Sequence, residues 1–228
     1  MKCGIVVFPG SNCDRDSFHI LNEILGLEAE WIWHKESSLN KFDLIVLPGG
    51  FSYGDYLRPG AISKFSPIMK SIIQYAENGG KLLGICNGFQ ILLECGLLPG
   101  ALMRNISHAF ICDTVPVRLE NDQTPFTSQS SKGTVLNLPI AHADGRYFAD
   151  EKTLKELEDN DQVVLRYCDS SGVIADENNP NGSVTNIAGI VNKAKTICGM
   201  MPHPERQADP AWPNIDGQII FRSLIQSS

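Results

Sequence analysis

The sequence predicts an α/β fold built on an open, mostly parallel sheet with helices on both faces. In the first half of the chain, short runs that are apolar throughout alternate with segments whose apolar residues recur at helical spacing. Strands that are apolar on both sides are typical of a parallel sheet covered on each face. The second half has shorter strand-like runs between polar loops, which indicates antiparallel additions. Together these patterns favour a three-layer, flavodoxin-like arrangement.

Elements of the first half are predicted from apolar runs and from the residues that end them. Apolar runs predict strands at 3–8, 29–33, 44–47 and 81–85. Apolar residues at helical spacing predict helices at about 14–25 and 87–95. A further helix begins at Pro67, a residue suited to the first helical position, and ends before Asn78, which two glycines follow.

Elements of the second half are predicted in the same way. Strand-like runs lie at 114–119, 135–140, 163–167, 187–191 and 196–200, a short helix at 154–157 and a closing helix at 219–225. Residues 168–186 are rich in Asp, Asn, Ser and Gly and predict a loop with a hairpin. The sequence contains no internal repeat and no linker-like stretch, so we expect a single domain over residues 1–228.

The composition argues against several classes of protein. The chain has 228 residues and a formal net charge of −7. Because a protein that binds nucleic acid needs a basic face, this acidic balance argues against a nucleic-acid partner. No apolar run approaches the roughly 20 residues that cross a bilayer, so no membrane partner is expected. The seven cysteines are irregularly spaced, with no C-x-x-C pair to indicate a metal site. Because the apolar run after Gly4 is also too short for a signal peptide, we expect reduced thiols and a cytoplasmic protein.

The sharpest local signal runs from Gly84 to Gly88 and reads G-x-C-x-G between a predicted strand and a predicted helix. This is the pattern of a nucleophile elbow with cysteine in the place of serine. The nucleophile sits in a strained turn, and side chains two residues to either side would collide with backbone, so both positions are glycine. The helix N-terminus favours the thiolate of Cys86. The alternative is that Cys86 is a buried structural cysteine beside loop glycines.

A cysteine nucleophile needs a base, and we take as candidates two histidines that each lie two residues before a carboxylate. These pairs are His142 with Asp144 and His203 with Glu205. In an extended chain such residues point the same way, so the acid could orient the imidazole, although they stand about 7 Å apart. A proline follows His203 and holds it in an extended conformation. We therefore favour His203 as the base and keep His142 as the alternative.

Backbone amides near the predicted elbow could bind an oxyanion. The turn at Gly50 and Phe51 could supply one donor and Asn87 another, although the glycine turn could equally be a plain strand end. Gln90 follows Cys86 by one helical turn, so its amide could bind a polar substrate, unless it is simply a helix-surface residue. The sequence has no phosphate loop of the G-x-x-x-x-G-K-[ST] type and no G-x-G-x-x-G after a strand. We expect no cofactor in this chain.

These motifs resemble the class I, triad-type glutamine amidotransferases. GICNGFQ at 84–90 and PHPE at 202–205 carry the resemblance to the class. Four longer strings resemble one of its branches, a glutaminase subunit of purine biosynthesis: FPGSNCD at 8–14, PGGFSYGDYLR at 48–58, NPNGS at 179–183 and MMPHPER at 200–206. The match runs from residue 3 to the last predicted helix. The segment 141–146 departs from it, with Ala143 and Asp144 where the family more often has Gly and Glu.

The resemblance implies roles for three residues and for two partner subunits. Cys86 would be the nucleophile, His203 the base and Glu205 its orienting acid, acting on L-glutamine and releasing ammonia. A large synthetase subunit, which would hold ATP and Mg²⁺, would use the ammonia to convert formylglycinamide ribonucleotide into formylglycinamidine ribonucleotide, together with a small accessory subunit. The alternatives are a glutaminase domain of another class I amidotransferase, a DJ-1-like stress protein with an elbow cysteine, and a flavodoxin-like binding module.

Overall fold

A mixed sheet of nine strands lies at the centre of the computed structural model, which describes residues 1–227. Eleven strands are present: β1 (Lys2–Val7), β2 (Glu28–Trp33), β3 (Leu44–Leu47), β4 (Lys81–Ile85), β5 (Ala101–Met103), β6 (Ile111–Leu119), β7 (Val135–His142), β8 (Arg146–Phe148), β9 (Val163–Tyr167), β10 (Ile187–Val191) and β11 (Ile197–Met200). The α-helices are α1 (Asp14–Phe18), α2 (Pro67–Glu77), α3 (Asn87–Glu94), α4 (Glu151–Asp159) and α5 (Gln218–Gln226). β5 and β8 pair with each other in a second, two-stranded sheet.

The strand order β2-β1-β3-β4-β11-β10-β9-β6-β7 divides the main sheet into two parts. The first five strands in this order run parallel to one another. The last four each run antiparallel to the strand before them. The predicted α/β class, the mostly parallel core and the antiparallel additions are therefore confirmed. Within residues 1–227, no helix is both long and apolar enough to cross a bilayer.

The inner parallel strands β1, β3, β4 and β11 are buried on both faces, and this accounts for their apolar sequences, whereas the edge strand β2 is mostly exposed or half-buried. All four residues of β3, from Leu44 to Leu47, have no exposed surface, and Leu82, Leu83 and Ile85 of β4 are equally buried. Burial of each such aliphatic side chain contributes roughly 1.5–3 kcal/mol relative to exposure. The ends of β3 and β4 are thus held firmly, and the loops that follow them start from fixed positions.

The chain reverses its direction across the sheet between β1 and β3. The connection from β1 through α1 leads to β2 on one side, whereas that from β3 through α2 leads to β4 on the other. Because such crossovers are right-handed, α1 and α2 lie on opposite faces of the sheet. Ligand sites in open α/β sheets lie at the carboxyl ends of the strands at such a reversal. Here the loops after β1 and β3 are joined by a bridge between Ser11 and Gly50.

The first helical segment differs from the single helix predicted over 14–25. α1 ends at Phe18, and π-helical turns continue over His19–Ile24. The amide of Leu25 accordingly donates to the carbonyl of Ile20, five residues back, at 3.0 Å. Apolar spacing over two or three turns does not distinguish the two kinds of helix, which explains the difference.

α4 is longer than the helix predicted over 154–157. The Asp150 side chain accepts a hydrogen bond from the amide of Thr153 at 2.8 Å and caps the helix at its start. Leu157 is the buried residue of this helix. Because most of the helix is polar, the apolar pattern predicted only its middle part.

The hairpin predicted within residues 168–186 is absent from the described structure of that segment. Two turns of 3-10 helix occupy Asp176–Asn178 and Val184–Asn186 instead. The Asn186 side chain donates to the carbonyls of Tyr167 and Ala175, at 3.1 and 2.9 Å. Side-chain amides thus satisfy backbone groups that a hairpin would have paired. The short strands β5 and β8 were not predicted, because three-residue strands carry too little periodicity.

Candidate active site

A strained turn joins β4 to α3 and carries Cys86 at its apex. Cys86 has φ +49° and ψ −103°, a left-handed conformation that costs on the order of 1–3 kcal/mol for a residue with a side chain. A Cβ on Gly84 would lie 2.8 Å from the carbonyl oxygen of Gly88, and a Cβ on Gly88 would lie 1.9 Å from that of Leu47. Both glycines are therefore required by close backbone approach, as the elbow pattern predicts.

Neighbouring strands fix the position of the Cys86 thiol. The Cys86 amide donates to the carbonyl of Met200, at the end of β11, at 2.7 Å. Its own carbonyl accepts from the amide of Gln90 at 3.1 Å, in the first turn of α3. The Sγ atom lies 3.8 Å from the carbonyl oxygen of Ala141 on β7. The side chain is therefore aimed at the carboxyl edge of the parallel strands, where α/β sheets bind ligands.

His203 and Glu205 form a buried pair beyond the end of β11. The Nδ1 atom of the imidazole lies 2.5 Å from Oε1 of Glu205, and the exposed fractions of the two residues are 1% and 3%. A turn of 3-10 helix, Pro204–Gln207, brings the two side chains together, although residues two apart on an extended strand would not touch. The amide of His203 donates to the carbonyl of Pro139 at 2.8 Å and anchors the segment to β7.

The carboxylate favours the charged form of the imidazole. Burial opposes the positive charge, but the Glu205 carboxylate and the Cys86 side chain outweigh it, so the pKa of His203 lies well above its usual value. The Nε2 atom of His203 is buried and has no hydrogen-bond partner among residues 1–227. One nitrogen is thus held by Glu205, and the other is left for chemistry.

Cys86 and His203 line one cavity of about 250 Å³. The residues that line it with them are Asn12, Cys13, Gly50, Phe51, Phe110, Cys112, Ala141 and Arg206. These residues come from the loops after β1, β3, β4 and β11, from the paired strands β6 and β7, and from the position just before β6. The fold therefore brings the predicted nucleophile, the favoured base and the predicted Gly50–Phe51 turn to a single site.

The amides predicted to bind an oxyanion are not equivalent in this structure. The amide of Phe51 donates to the carbonyl of Gly10 at 3.0 Å and would have to break that bond before it could bind a ligand. The amide of Asn87 is the first of α3, and the first amides of a helix have no acceptor within the helix. Gly50, with φ +137°, adopts a conformation that favours glycine and allows its close contact with the 10–12 loop. The geometry therefore favours the Gly50 and Asn87 amides over that of Phe51.

Gln90 points to a neighbouring cavity. It is buried, its Nε2 donates to the carbonyl of Asp144 at 2.8 Å, and its Oε1 accepts from the Asn87 side chain at 2.8 Å. The cavity that it lines has a volume of about 320 Å³ and is also bordered by Arg58, Glu94 and Asp144. The reading of Gln90 as a helix-surface residue is therefore wrong, while its contact with a substrate stays a prediction.

His142, the alternative base, lies beside the site but is held as a neutral ring. Its Nδ1 lies 3.1 Å from Oδ1 of Asn105. That oxygen must accept, because Nδ2 of Asn105 donates to two carbonyls. Burial and the nearby positive charge of His203 lower the pKa of His142 to about 4. A ring with so low a pKa is a weak base, which again favours His203.

Two residues of the site were given no role from the sequence. Cys13 is 2% exposed, and its Sγ accepts a hydrogen bond from Nη2 of Arg206 at 3.1 Å. Arg206 also pairs with Asp16 at 3.2 Å, which ties the end of the His203 segment to α1. Neither residue belongs to a local catalytic motif. The signals that could have found them are the strings FPGSNCD at 8–14 and MMPHPER at 200–206, which carry the resemblance without assigning either residue a role.

A parallel α/β sheet with an elbow cysteine that faces a His–Glu pair defines the class of triad-type glutamine amidotransferases. The family described as "CobB/CobQ-like glutamine amidotransferase domain" matches residues 1–219, and the chain belongs to that family. It is accordingly a glutamine amidotransferase.

Two relatives that match nearly the full length of the chain share one description. The phosphoribosylformylglycinamidine synthase subunit PurQ of Salinibacter ruber is 54% identical over 224 residues, which cover 98% of this chain and 95% of the relative. The protein of the same description from Acaryochloris marina is 52% identical over 227 residues, which cover 100% of this chain and 97% of that relative. A chain in the solved structure of PurLQS from Thermotoga maritima aligns with a TM-score of 0.87 at 44% identity, covering 99% of this chain and 98% of that chain.

Proposed function

We propose that this chain is the glutaminase subunit of a phosphoribosylformylglycinamidine synthase and that Cys86, His203 and Glu205 are its catalytic triad. The description shared by its full-length relatives supports the substrate and the pathway, which is purine biosynthesis. The observation that carries the catalytic assignment is the placement of Cys86 and the Glu205-bound imidazole of His203 in one cavity. All residues 1–228 form one amidotransferase domain in this proposal.

The first half-reaction forms a thioester. The Cys86 thiolate attacks the side-chain amide carbon of L-glutamine, and the carbonyl oxygen becomes an oxyanion. The imidazolium of His203 then gives its Nε2 proton to the leaving nitrogen as the carbon–nitrogen bond breaks. Ammonia leaves, and the γ-glutamyl group stays on Cys86. Glu205 fixes the ring through Nδ1 and stabilises its positive charge.

The second half-reaction returns the enzyme to its starting state. His203, now neutral, takes a proton from water, and the hydroxide formed attacks the thioester carbon. The carbon–sulfur bond then breaks, which releases glutamate and restores the Cys86 thiolate beside the imidazolium. In both steps the amides of Gly50 and Asn87 are the favoured oxyanion donors, and Phe51 contributes its ring to the cavity wall. Gln90 positions the polar end of glutamine through the neighbouring cavity.

The ammonia is used by partner subunits. The chain carries no phosphate-loop motif, so ATP and Mg²⁺ belong to a large synthetase subunit that converts formylglycinamide ribonucleotide to formylglycinamidine ribonucleotide. A small accessory subunit completes the complex. Ammonia released into water would be protonated and lost to the acceptor, so the chain must dock on the synthetase subunit. As in the amidotransferases that it resembles, we expect weak glutaminase activity from this chain alone. The seven cysteines form no disulfide among residues 1–227, which supports a location in the reducing cytoplasm.

Covalent labelling tests the proposal. A glutamine-like electrophile should modify Cys86, as mapped by peptide mass spectrometry, and L-glutamine should suppress the modification. Cys95 lies outside the cavity and serves as the internal control, because any labelling of it should be insensitive to glutamine. Labelling that glutamine does not suppress would favour a thiol sensor of the DJ-1 type. The absence of any labelling at Cys86 would remove the nucleophile from the proposal.

A further inference from the structure

A second thiol, that of Cys13, lies beside the imidazole that faces Cys86. Cys13 is 2% exposed, and its Sγ, a nitrogen of His203 and an oxygen of Glu205 all lie within 4.8 Å of one another. A Cβ built on Gly49 would lie 2.7 Å from the imidazole and 3.0 Å from this Sγ, so the loop after β3 closes tightly over both groups. The proposed reaction gives Cys13 no part, and its position therefore needs another explanation.

The imidazole is arranged as a metal-binding histidine usually is. Oε1 of Glu205 holds Nδ1 at 2.5 Å, while Nε2 is buried and lacks a hydrogen-bond partner among the described residues. Histidines that bind metals through one nitrogen commonly donate the other to a carboxylate, which fixes the ring and raises its basicity. His203 has this arrangement, with two thiols lining the same cavity.

The charges at the site favour a divalent cation. In the metal-bound state His203 is neutral, because Nε2 gives up its proton when it binds the cation. The Cys13 and Cys86 thiolates and Glu205 then carry three negative charges, and Arg206 carries one positive charge. Arg206 donates to Cys13 Sγ at 3.1 Å, the kind of hydrogen bond that supports a thiolate ligand from outside the metal's own shell. The net charge of Cys13, Cys86, Glu205 and Arg206 is therefore negative by two, and one divalent cation neutralises it. Sulfur and imidazole ligands select Zn²⁺ over Mg²⁺ or Ca²⁺.

We propose that Cys13 Sγ, Cys86 Sγ and His203 Nε2 form a binding site for a thiophilic divalent cation, with Zn²⁺ the best match. Binding forms two sulfur–metal bonds and one nitrogen–metal bond, and it leaves a fourth tetrahedral position for water. The Cys13 thiol proton and the Nε2 proton of the imidazolium go to solvent, while Cys86 binds as the thiolate. Ligand atoms of such a site lie roughly 3.5 Å apart, so the site forms only if Cys13 Sγ, which lies within 4.8 Å of the His203–Glu205 pair, and Cys86 Sγ both move towards the cation. The bound cation occupies the sulfur and the nitrogen needed for hydrolysis, so it inhibits competitively with glutamine.

Cobalt spectroscopy tests the site without reference to catalysis. Metal-free protein titrated with Co²⁺ should develop thiolate-to-cobalt absorption in the near ultraviolet and the visible bands of a tetrahedral site, and Zn²⁺ should remove both. Cys13→Ser should reduce the thiolate band by about half and weaken Zn²⁺ binding by at least the roughly 10–100-fold expected for loss of an outer ligand. Glu205→Gln should weaken it by about 10–100-fold with the thiolate band retained.

Matched controls keep the result interpretable. Cys112 lines the same cavity but is exposed, and Cys112→Ser should leave the cobalt spectrum unchanged. Wild-type protein alkylated at Cys86 should lose the tetrahedral bands, which tests the site even if Cys13→Ser does not fold. An unchanged spectrum in Cys13→Ser, or loss of the bands in Cys112→Ser alone, would overturn the assignment. Only the competition with glutamine rests on the proposed function, and labelling of Cys86 tests that function separately.

Discussion

Glu205 holds His203 through Nδ1 at 2.5 Å and thereby leaves Nε2 facing the cavity that Cys86 lines. The two residues are nearly fully buried, so solvent does not weaken the interaction of carboxylate and ring. This one contact sets both the orientation of the imidazole and its charge, and two consequences can be separated by mutation.

Glu205→Gln should lower the glutaminase rate and also change its dependence on pH. Without the carboxylate, burial dominates and the pKa of His203 falls, so the imidazolium is lost at lower pH. We expect the alkaline limb of kcat/KM to move to lower pH and kcat to fall by roughly 100-fold, the scale of a general acid–base contribution. Glu28→Gln, which breaks a surface ion pair with Lys2 outside both cavities, should leave the pH profile unchanged. A fall in kcat with an unshifted profile would contradict the role given to Glu205.

Cys86→Ala should separate glutamine use from synthesis. In the complex with the synthetase subunits, glutamine-dependent formation of product should fall to background, because the nucleophile is gone. Added ammonium salt should support product formation within about 2-fold of the wild-type complex, measured as product per unit time. Cys95→Ala should retain both activities, since this thiol lies outside the cavity. Failure of ammonium to rescue Cys86→Ala would refute the proposed division of labour between subunits.

Much of the fold followed from apolar runs alone. The strands β3, β4, β9 and β10 have the bounds predicted for them, because these strands are largely buried on both faces and their sequences are mainly apolar. The elbow was also predictable from the sequence, since close backbone contacts require glycine at positions 84 and 88. Patterns fixed by neighbours in sequence, or by burial on both faces, were therefore predictable.

Contacts made between distant loops were not predictable. The bond from the Phe51 amide to Gly10, and that from Gln90 to Asp144, depend on how separate loops meet above the sheet. The position of Cys13 beside His203 depends on the same meeting of loops. Because none of these contacts leaves a periodic or local pattern, the sequence could name the elements of the site but not its hydrogen bonds.

His142 should make the protein less stable in mild acid. Its pKa is about 4 in the folded chain because of burial and the charge of His203, against about 6.5 when unfolded. A histidine with a lowered pKa stabilises the fold above the unfolded value, and that stability is lost as the pH falls from 6.5 towards 4. The loss should reach about 3 kcal/mol at pH 4.

Urea unfolding between pH 7.5 and 4.5 measures this effect. His142→Gln should have a free energy of unfolding that declines less steeply with acid than that of the wild type. His108→Gln, at an exposed position, should follow the wild-type curve. Parallel curves for His142→Gln and the wild type would show that His142 is not the group responsible.

Asp55 should destabilise the fold at neutral pH. Burial and the nearby charge of Asp144 raise the pKa of Asp55 to about 6, and its Oδ1 is buried without a partner among residues 1–227. With the folded pKa above the unfolded value, stability is lost as the pH rises from about 4 to 6 and stays low above that range.

Asp55→Asn removes the charge and keeps a side chain that tolerates the φ of +55° at this position. We therefore expect the variant to be more stable than the wild type at pH 7.5 by about 1–2 kcal/mol, after allowance for partial exposure. The gain should shrink as the pH falls from about 6 towards 4, and it vanishes only well below pH 4, where Asp55 is neutral in both states. Thermal unfolding at pH 7.5 and 4.5 measures the difference, and Asp161→Asn is the matched control, an exposed aspartate with φ +50°. Equal shifts in the two variants would show that backbone conformation, and not the buried charge, causes the change.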